Sequence, residues 1–185
     1  MEKASASIAA ELPPQAHVLD VGGGDGEPLN WLLRCRTDIR VTTMDIAPGV
    51  GRWIDPVHRD RVTLLESTTL DAYVASGGPV PDVLLLSDVM HHVPVTQRNA
   101  FLNVVAALMK RSKSMRVVVK DVEPGHWRAL LGEWSDRYVT GDRGVQPISR
   151  AELIDSMRRV CEGVRHRETR LFEVDMPNYV VVFTC

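Results

Sequence analysis

"HVLDVGGGDGEPLNWLL", residues 17–33, decides the fold of this 185-residue chain. Val18–Val21 reads as a strand and Pro28–Arg36 as a helix, and three consecutive glycines, Gly22, Gly23 and Gly24, open the connection between them. Glycine costs conformational entropy, a cost offset where a ligand must approach the main chain closely. Gly22, Gly24 and Gly26 form a GxGxG run that turns backbone N–H groups and a helix N-terminus towards one point, suited to a carboxylate or phosphate. A dinucleotide fingerprint would put its third glycine where Glu27 stands, with Pro28 next, so a pyrophosphate would meet an extra carboxylate. The loop therefore counts against a nicotinamide or flavin dinucleotide.

Outward from this unit, β-rich runs alternate with helical ones. Glu2–Leu12 reads as a short helix stopped by Pro13-Pro14. Further strands are expected at Arg40–Asp45, Val62–Glu66, Val83–Ser87 and Met115–Val119, and VLLLS (83–87) is apolar enough to be covered on both faces. A loop or short helix is expected around Trp53. Gln97–Lys110 carries Phe101, Leu102, Val105, Leu108 and Met109 at helical spacing, and Trp127–Tyr138 reads as another helix. Ser149, with Glu152 three residues on, opens a helix running to about Cys161. The tail breaks the alternation: RHRETRLFEV (165–174) and NYVVVFTC (178–185) flank a turn at DMPN, which predicts an antiparallel hairpin. Five βα units plus a hairpin describe an open, mostly parallel α/β sheet with helices on both faces. Its ligands lie at the C-terminal ends of the strands, where the loops after Val21, Asp45, Glu66 and Ser87 converge and the loop after Val119 stands beside them.

Composition bounds the rest. Hydrophobic residues at 44% and charged residues at 25% are values of an ordinary globule, and the length fits one domain over residues 1–185. A net charge of −2 gives no global attraction for nucleic acid or anionic membrane. Cys35, Cys161 and Cys185 form no CxxC and cannot all pair with one another, which favours a reducing cytoplasm. MEKASASIAAELPP (1–14) lacks the apolar core of a signal peptide, and no apolar run is long enough to span a bilayer. A cytoplasmic protein with neither membrane nor DNA as partner is expected.

An acid, Asp20, lies inside the end of the first strand and precedes the glycine loop. A ligand with both a carboxylate and an ammonium, an amino acid moiety, satisfies amides and acid together. Asp45 ends the second strand, 25 residues after Asp20, where a carboxylate accepts both hydroxyls of a ribose. Amino acid beside ribose spells S-adenosylmethionine (SAM).

VLDVGGGDG (18–26), TTMDIAP (42–48), PDVLLLSDVMHHVP (81–94) and MRVVVKDVEP (115–124) resemble the ordered motifs of the class I SAM-dependent methyltransferases. The resemblance covers nearly the whole chain and implies a Rossmann-like three-layer sandwich, its mostly parallel seven-stranded sheet ending in an antiparallel hairpin. It implies that Asp20, Gly22, Gly23, Gly24, Asp25 and Gly26 hold the methionine part and that Asp45 and Ile46 lie at the ribose. It further implies an adenine contact at Ser67 and Thr68, with Ser87 completing the cofactor set. Many members carry an aspartate where ESTTL (66–70) stands, so Glu66 or backbone groups would substitute.

Methyl transfer from a sulfonium requires a positioned nucleophile, and a base if the acceptor carries a proton. The candidates beyond the fourth and fifth strands are Asp88, His91 and His92, then Lys120, Asp121, Glu123, His126 and Trp127. Adjacent histidines point in different directions, so one of the pair is expected to face the pocket, where a group titrating near neutrality suits a hydroxyl acceptor. Lys120 at the strand's mouth is read as an ammonium that steers or deprotonates the acceptor, with Asp121 beside it as a surface partner. The catalytic candidates are thus Asp88, His91, His92 and Lys120.

A second resemblance bears on the acceptor. RNA ribose 2′-O-methyltransferases use a Lys-Asp-Lys-Glu tetrad, which LSDV (86–89) with Asp88 and VVVK (117–120) with Lys120 match. Lys3 is a weaker match. Pro177 and Asn178 stand where the glutamate belongs, leaving Glu173 on the preceding strand to supply it. The double histidine after SDVM (87–90), the KD followed by a tryptophan-bearing helix and the connection YVTGDRGVQPISRAEL (138–153) resemble small-molecule methyltransferases. Residues 140–148 are long enough for a lid over the acceptor. The histidines lack metal-ligand spacing, and Asp88 and Asp121 show no third ligand, so no metal is expected. Basic clusters such as Arg165/Arg167/Arg170 read as solvated faces.

Three functions compete on these grounds: transfer to a small-molecule hydroxyl, transfer to RNA through Asp88 and Lys120, and a non-catalytic SAM-binding partner subunit. The open acceptor side predicts either a homodimer or a bulky acceptor.

Overall fold

The computed structural model describes residues 2–124, 146–169 and 178–185. The elements run α1 (Glu2–Glu11), β1 (His17–Val21), α2 (Glu27–Cys35), β2 (Arg40–Met44), a 3₁₀ helix (Pro56–Arg61), β3 (Val62–Leu65), α3 (Leu70–Ala75) and β4 (Val83–Ser87). They continue with α4 (Val95–Arg111), β5 (Arg116–Val122), α5 (Arg150–Val160), β6 (Arg165–Thr169) and β7 (Asn178–Thr184). The expected helix at 127–138 and most of the 140–148 connection lie outside the described residues.

The seven strands form one sheet in the order β3-β2-β1-β4-β5-β7-β6, parallel from β1 to β5, with β7 antiparallel to both neighbours. Order reverses between β1 and β4, which opens a crevice at their C-terminal tips. The hairpin forms with Arg165 opposite Thr184, and it is β7, not β6, that pairs with β5, leaving β6 at the sheet's edge.

Strand alternation sorts the core into two layers. Leu19, Val21, Leu84, Leu86, Val117 and Val119 face α3, α4 and α5, whereas Val18, Val41, Val83, Leu85 and Val118 face α1 and α2. The guanidinium of Arg36 donates to the carbonyls of Ala9, Leu12 and Pro13, satisfying the C-terminal end of α1 against α2. Among the described residues no helix is long and apolar enough to cross a membrane.

Three differences from the sequence expectation matter for the site. α3 is a helix that sequence periodicity missed: Thr69 caps it by accepting from the Ala72 N–H, a local start signal too short to give a period. β5 extends to Val122, because β7 keeps pairing along it, so Lys120 and Asp121 lie inside the strand opposite Val180 and Tyr179. Asp121 is therefore no surface partner; it is 0% exposed.

Candidate active site

The glycine loop is folded by its own amides. The N–H groups of Gly22 and Gly23 both donate to the Met44 carbonyl, at 2.8 and 3.1 Å, and that of Gly26 donates to Gly23. Gly24 donates to the Asp45 carboxylate at 2.9 Å, and Glu27 to the Asp25 side chain at 3.1 Å. Sequence reasoning treated these amides as ligand donors; in the structure they set the loop's shape. Gly23 is required by close approach, since a Cβ there would lie 1.9 Å from Thr43 Oγ1 and 2.7 Å from Asp20 Oδ2. Gly26 is required by its φ of +85° and by Ile54 and Gly51 packed against it, which places it beside the neighbouring loop instead of the crevice.

Asp20 lies beneath this loop, its carboxylate accepting from Thr43 Oγ1 at 2.9 Å. Burial raises its pKa to about 6, against the Thr43 hydrogen bond, with the Asp45 charge adding to the rise. Asp45 stands at the tip of β2 and also accepts from the Ala47 N–H at 2.8 Å. Its backbone ties the β3–α3 connection down, Asp45 N–H donating to Leu65 and Asp45 carbonyl accepting from Thr68.

At the tip of β4, Asp88 takes a left-handed φ of +60° and its N–H donates to the Lys120 carbonyl. Both its carboxylate oxygens receive Lys120 Nζ, at 2.5 and 2.6 Å. Alternation in β5 sends Lys120 to the α1/α2 face and Asp121 to the other. There Asp121 accepts from His91 Nδ1 at 2.6 Å, from the His91 N–H at 3.3 Å and from the Val122 N–H at 2.7 Å. The His91 carbonyl accepts from the Gln146 N–H, so the described end of the 140–148 connection is fastened to this loop. His92 tilts against His91, ring centroids 4.2 Å apart. Burial, then the charges of Asp121 and Glu123, push the Tyr179 hydroxyl pKa well up, and that hydroxyl donates to the Ile148 carbonyl.

A single cleft of about 1120 Å³ crosses these tips, lined by Gly22–Gly24, Asp45, Ile46, Thr68, Asp88 and His92 among others. A family model described as a methyltransferase domain matches residues 1–160. The chain belongs to the methyltransferase domain family. The methyltransferase domain also superposes on solved structures. Mitomycin 7-O-methyltransferase MmcR is 20% identical with a TM-score of 0.72, the match covering 99% of this chain and 53% of that one. CalO1, a methyltransferase of calicheamicin biosynthesis solved in its SAH-bound form, is 24% identical (TM-score 0.71; 99% and 53% covered). NcsB1, an O-methyltransferase of neocarzinostatin biosynthesis solved with SAM and 2-hydroxy-5-methyl naphthoic acid, is 23% identical (TM-score 0.67; 96% and 52% covered). This chain spans about half the length of these structures, and at such identities the likeness is one of fold. A search of curated proteins finds no match.

Of the cofactor candidates, Asp20, Gly22, Gly23, Gly24, Asp25, Asp45, Ile46, Thr68 and Ser87 line the methyltransferase cleft, while Gly26 and Ser67 do not. Of the catalytic candidates, Asp88 and His92 line it; His91 and Lys120 do not, being paired with Asp121 and Asp88. Two features of the walls escaped the sequence reading. The acid facing the cleft after β3 is Asp71, in the first turn of α3, and not Glu66. Val89, Phe101 and Val104 give the cleft an apolar end beyond β4. Thr69 as N-cap, with Asp71 following in the first turn, is the local signal that marks this wall.

The expectation that Asp88 and Asp121 lack a third ligand is corrected: His91 stands with them, one donor atom of each within 4.8 Å of the others. Yet the Asp88 oxygens already face the Lys120 ammonium, which supplies the positive charge there. Of the 2′-O tetrad, the Asp88–Lys120 pair forms; Glu173 and the side chain of Lys3 lie outside what is described.

Asp20 gives a pH signature. Its folded pKa of about 6 lies above its ordinary 3.8, so the carboxyl stabilises the fold in its protonated form, fully below pH 4, and that contribution is lost as pH rises through 6. Asp20→Asn is expected to match the natural chain at pH 4 and to be more stable by about 3 kcal/mol at pH 8. Urea titrations at the two pH values check this, and a constant difference would contradict it.

Proposed function

We propose that this domain transfers a methyl group from SAM to a hydroxyl of a small molecule. One observation carries the reading: a single cleft joins the Gly22–Gly24 loop and Asp45 at one end to Asp88, His92 and an apolar wall at the other. Its volume is at the upper end for ligand sites and has room for a cofactor beside an acceptor. The residues fit SAM. Asp45 keeps unused lone pairs for ribose hydroxyls, the Cβ position of Gly24 meets no atom within 4 Å, and Ile46, 74% exposed, offers an apolar face beside it. Bound SAM supplies an electrophilic methyl on a sulfonium; the chain positions, orients and excludes water.

His92 is the group we assign to the acceptor proton, because it faces the cleft while His91 is held by Asp121. The Asp88–Lys120 pair fixes the adjoining backbone, and Phe101 and Val104 favour an apolar acceptor. The solved complex of NcsB1 with a naphthoic acid supports an acceptor of that kind.

Calorimetry with SAM and its demethylated product tests the cofactor end, and a turnover screen of phenolic and quinol acceptors against capped RNA tests the other. Asp45→Ala is expected to weaken SAM binding about ten- to a hundredfold, the worth of charge-assisted hydrogen bonds. No heat of binding with the natural chain sinks the proposal. Turnover on capped RNA alone moves it to the tetrad reading, and tight binding with no turnover moves it to a partner subunit.

A further inference from the structure

Two of the three cysteines meet at the edge of the sheet opposite the cleft. Cys35 is exposed at the end of α2, whereas Cys161, buried, and Cys185, half-buried, bring their Sγ atoms to 3.6 Å. Cys161 is the C-cap of α5, its N–H donating to the Met157 carbonyl, and its own carbonyl accepts from the Val164 N–H. Cys185 follows β7, whose register sets Thr184 opposite Arg165, and the Arg165 guanidinium donates to the Cys185 carbonyl. Both backbones are thus pinned with the two thiols in contact, and a bond needs the sulfurs to close by only about 1.5 Å.

We propose that Cys161 and Cys185 are a redox-active dithiol that closes to an internal disulfide by exchange with a low-molecular-weight disulfide such as oxidised glutathione. Cys185, the more accessible, loses its proton and attacks one sulfur of the glutathione disulfide, forming a mixed disulfide and releasing one glutathione thiolate. Cys161 then loses its proton and attacks the Cys185 sulfur, releasing the second glutathione. Two protein thiols are oxidised by two electrons, and the external disulfide is reduced to two thiols. The order follows from the surroundings: burial and the neighbouring Cys185 push the Cys161 thiol pKa up, making it the poorer first nucleophile.

The bond would tie the end of α5 to the end of β7 across a separation of 24 residues, restricting the unfolded chain. Because β7 runs against the parallel strands, its C-terminal end lies away from the cleft. Closure should therefore change stability and leave ligand binding unchanged.

The test is oxidation of the full chain with glutathione disulfide, followed by peptide mapping under non-reducing conditions and thermal melting. Expected are a Cys161–Cys185 link and a melting temperature raised by about 5–10 °C, both reversed by dithiothreitol. In Cys161→Ser, Cys185 should keep glutathione as a stable adduct with no rise in melting temperature. In Cys185→Ser no link should form and Cys161 should stay unmodified. Natural chain in which both thiols remain alkylatable after Cys35 has taken up glutathione overturns the proposal. So does a stable glutathione adduct on its Cys185, or a link that lowers the melting temperature.

Discussion

Gly23→Ala is expected to weaken SAM binding at least about a hundredfold and to cost about 2–4 kcal/mol of stability. The added methyl would stand 1.9 Å from Thr43 Oγ1 and 2.7 Å from Asp20 Oδ2. Thr43 is fully buried in β2 and cannot retreat, so the loop must lift. Lifting it strains the bonds from Gly22 and Gly23 to Met44 and from Gly24 to Asp45, which shape the end of the cleft proposed to take SAM. Calorimetry with SAM reads the first effect and denaturant titration the second. Natural values in both would show that the loop adapts without these bonds.

This glycine shows what sequence could reveal and what it could not. The run 22–26 announced a strand, a turn and a helix, and the acid at 45 fell in register, because spacing along one βα unit is local information. The pairing of Met44 carbonyl with two glycine amides is not local, and the loop's donors were therefore assigned to a ligand. The same limit governs the acceptor end. SDVMHHVP and VVVKDVEP marked the right strand tips, but which side chain turns to which face depends on how far β5 runs. Three residues of extra pairing with β7 carried Asp121 into the core and gave His91 its partner. α3, at six residues, was too short for periodicity to detect.

The second large effect is expected at Asp121. Its carboxylate is wholly buried and accepts from three donors: His91 Nδ1, the His91 N–H and the Val122 N–H. Asp121→Ala leaves all three without that acceptor inside the protein, and a loss of about 3–5 kcal/mol is expected. Asp121→Asn keeps the shape and an acceptor oxygen, so the loss should fall to about 1–2 kcal/mol. The two variants separate hydrogen-bond removal from loss of charge. Urea unfolding measures both, and an alanine variant within about 1 kcal/mol of the natural chain would refute the assignment. Because His91 anchors both Gln146 and the ring against which His92 tilts, the same substitution should loosen the histidine that faces the cleft.

The position of β7 between β5 and β6 has a consequence for biosynthesis. A nascent chain can pair β1 to β5 while still tethered to the ribosome, but the flank of β5 bearing Val117, Val118 and Val119 stays uncovered until residues 178–184 emerge. An unpaired apolar strand edge invites association between neighbouring polypeptides. Synthesis thus leaves this sheet most adhesive just before its final ladder zips shut.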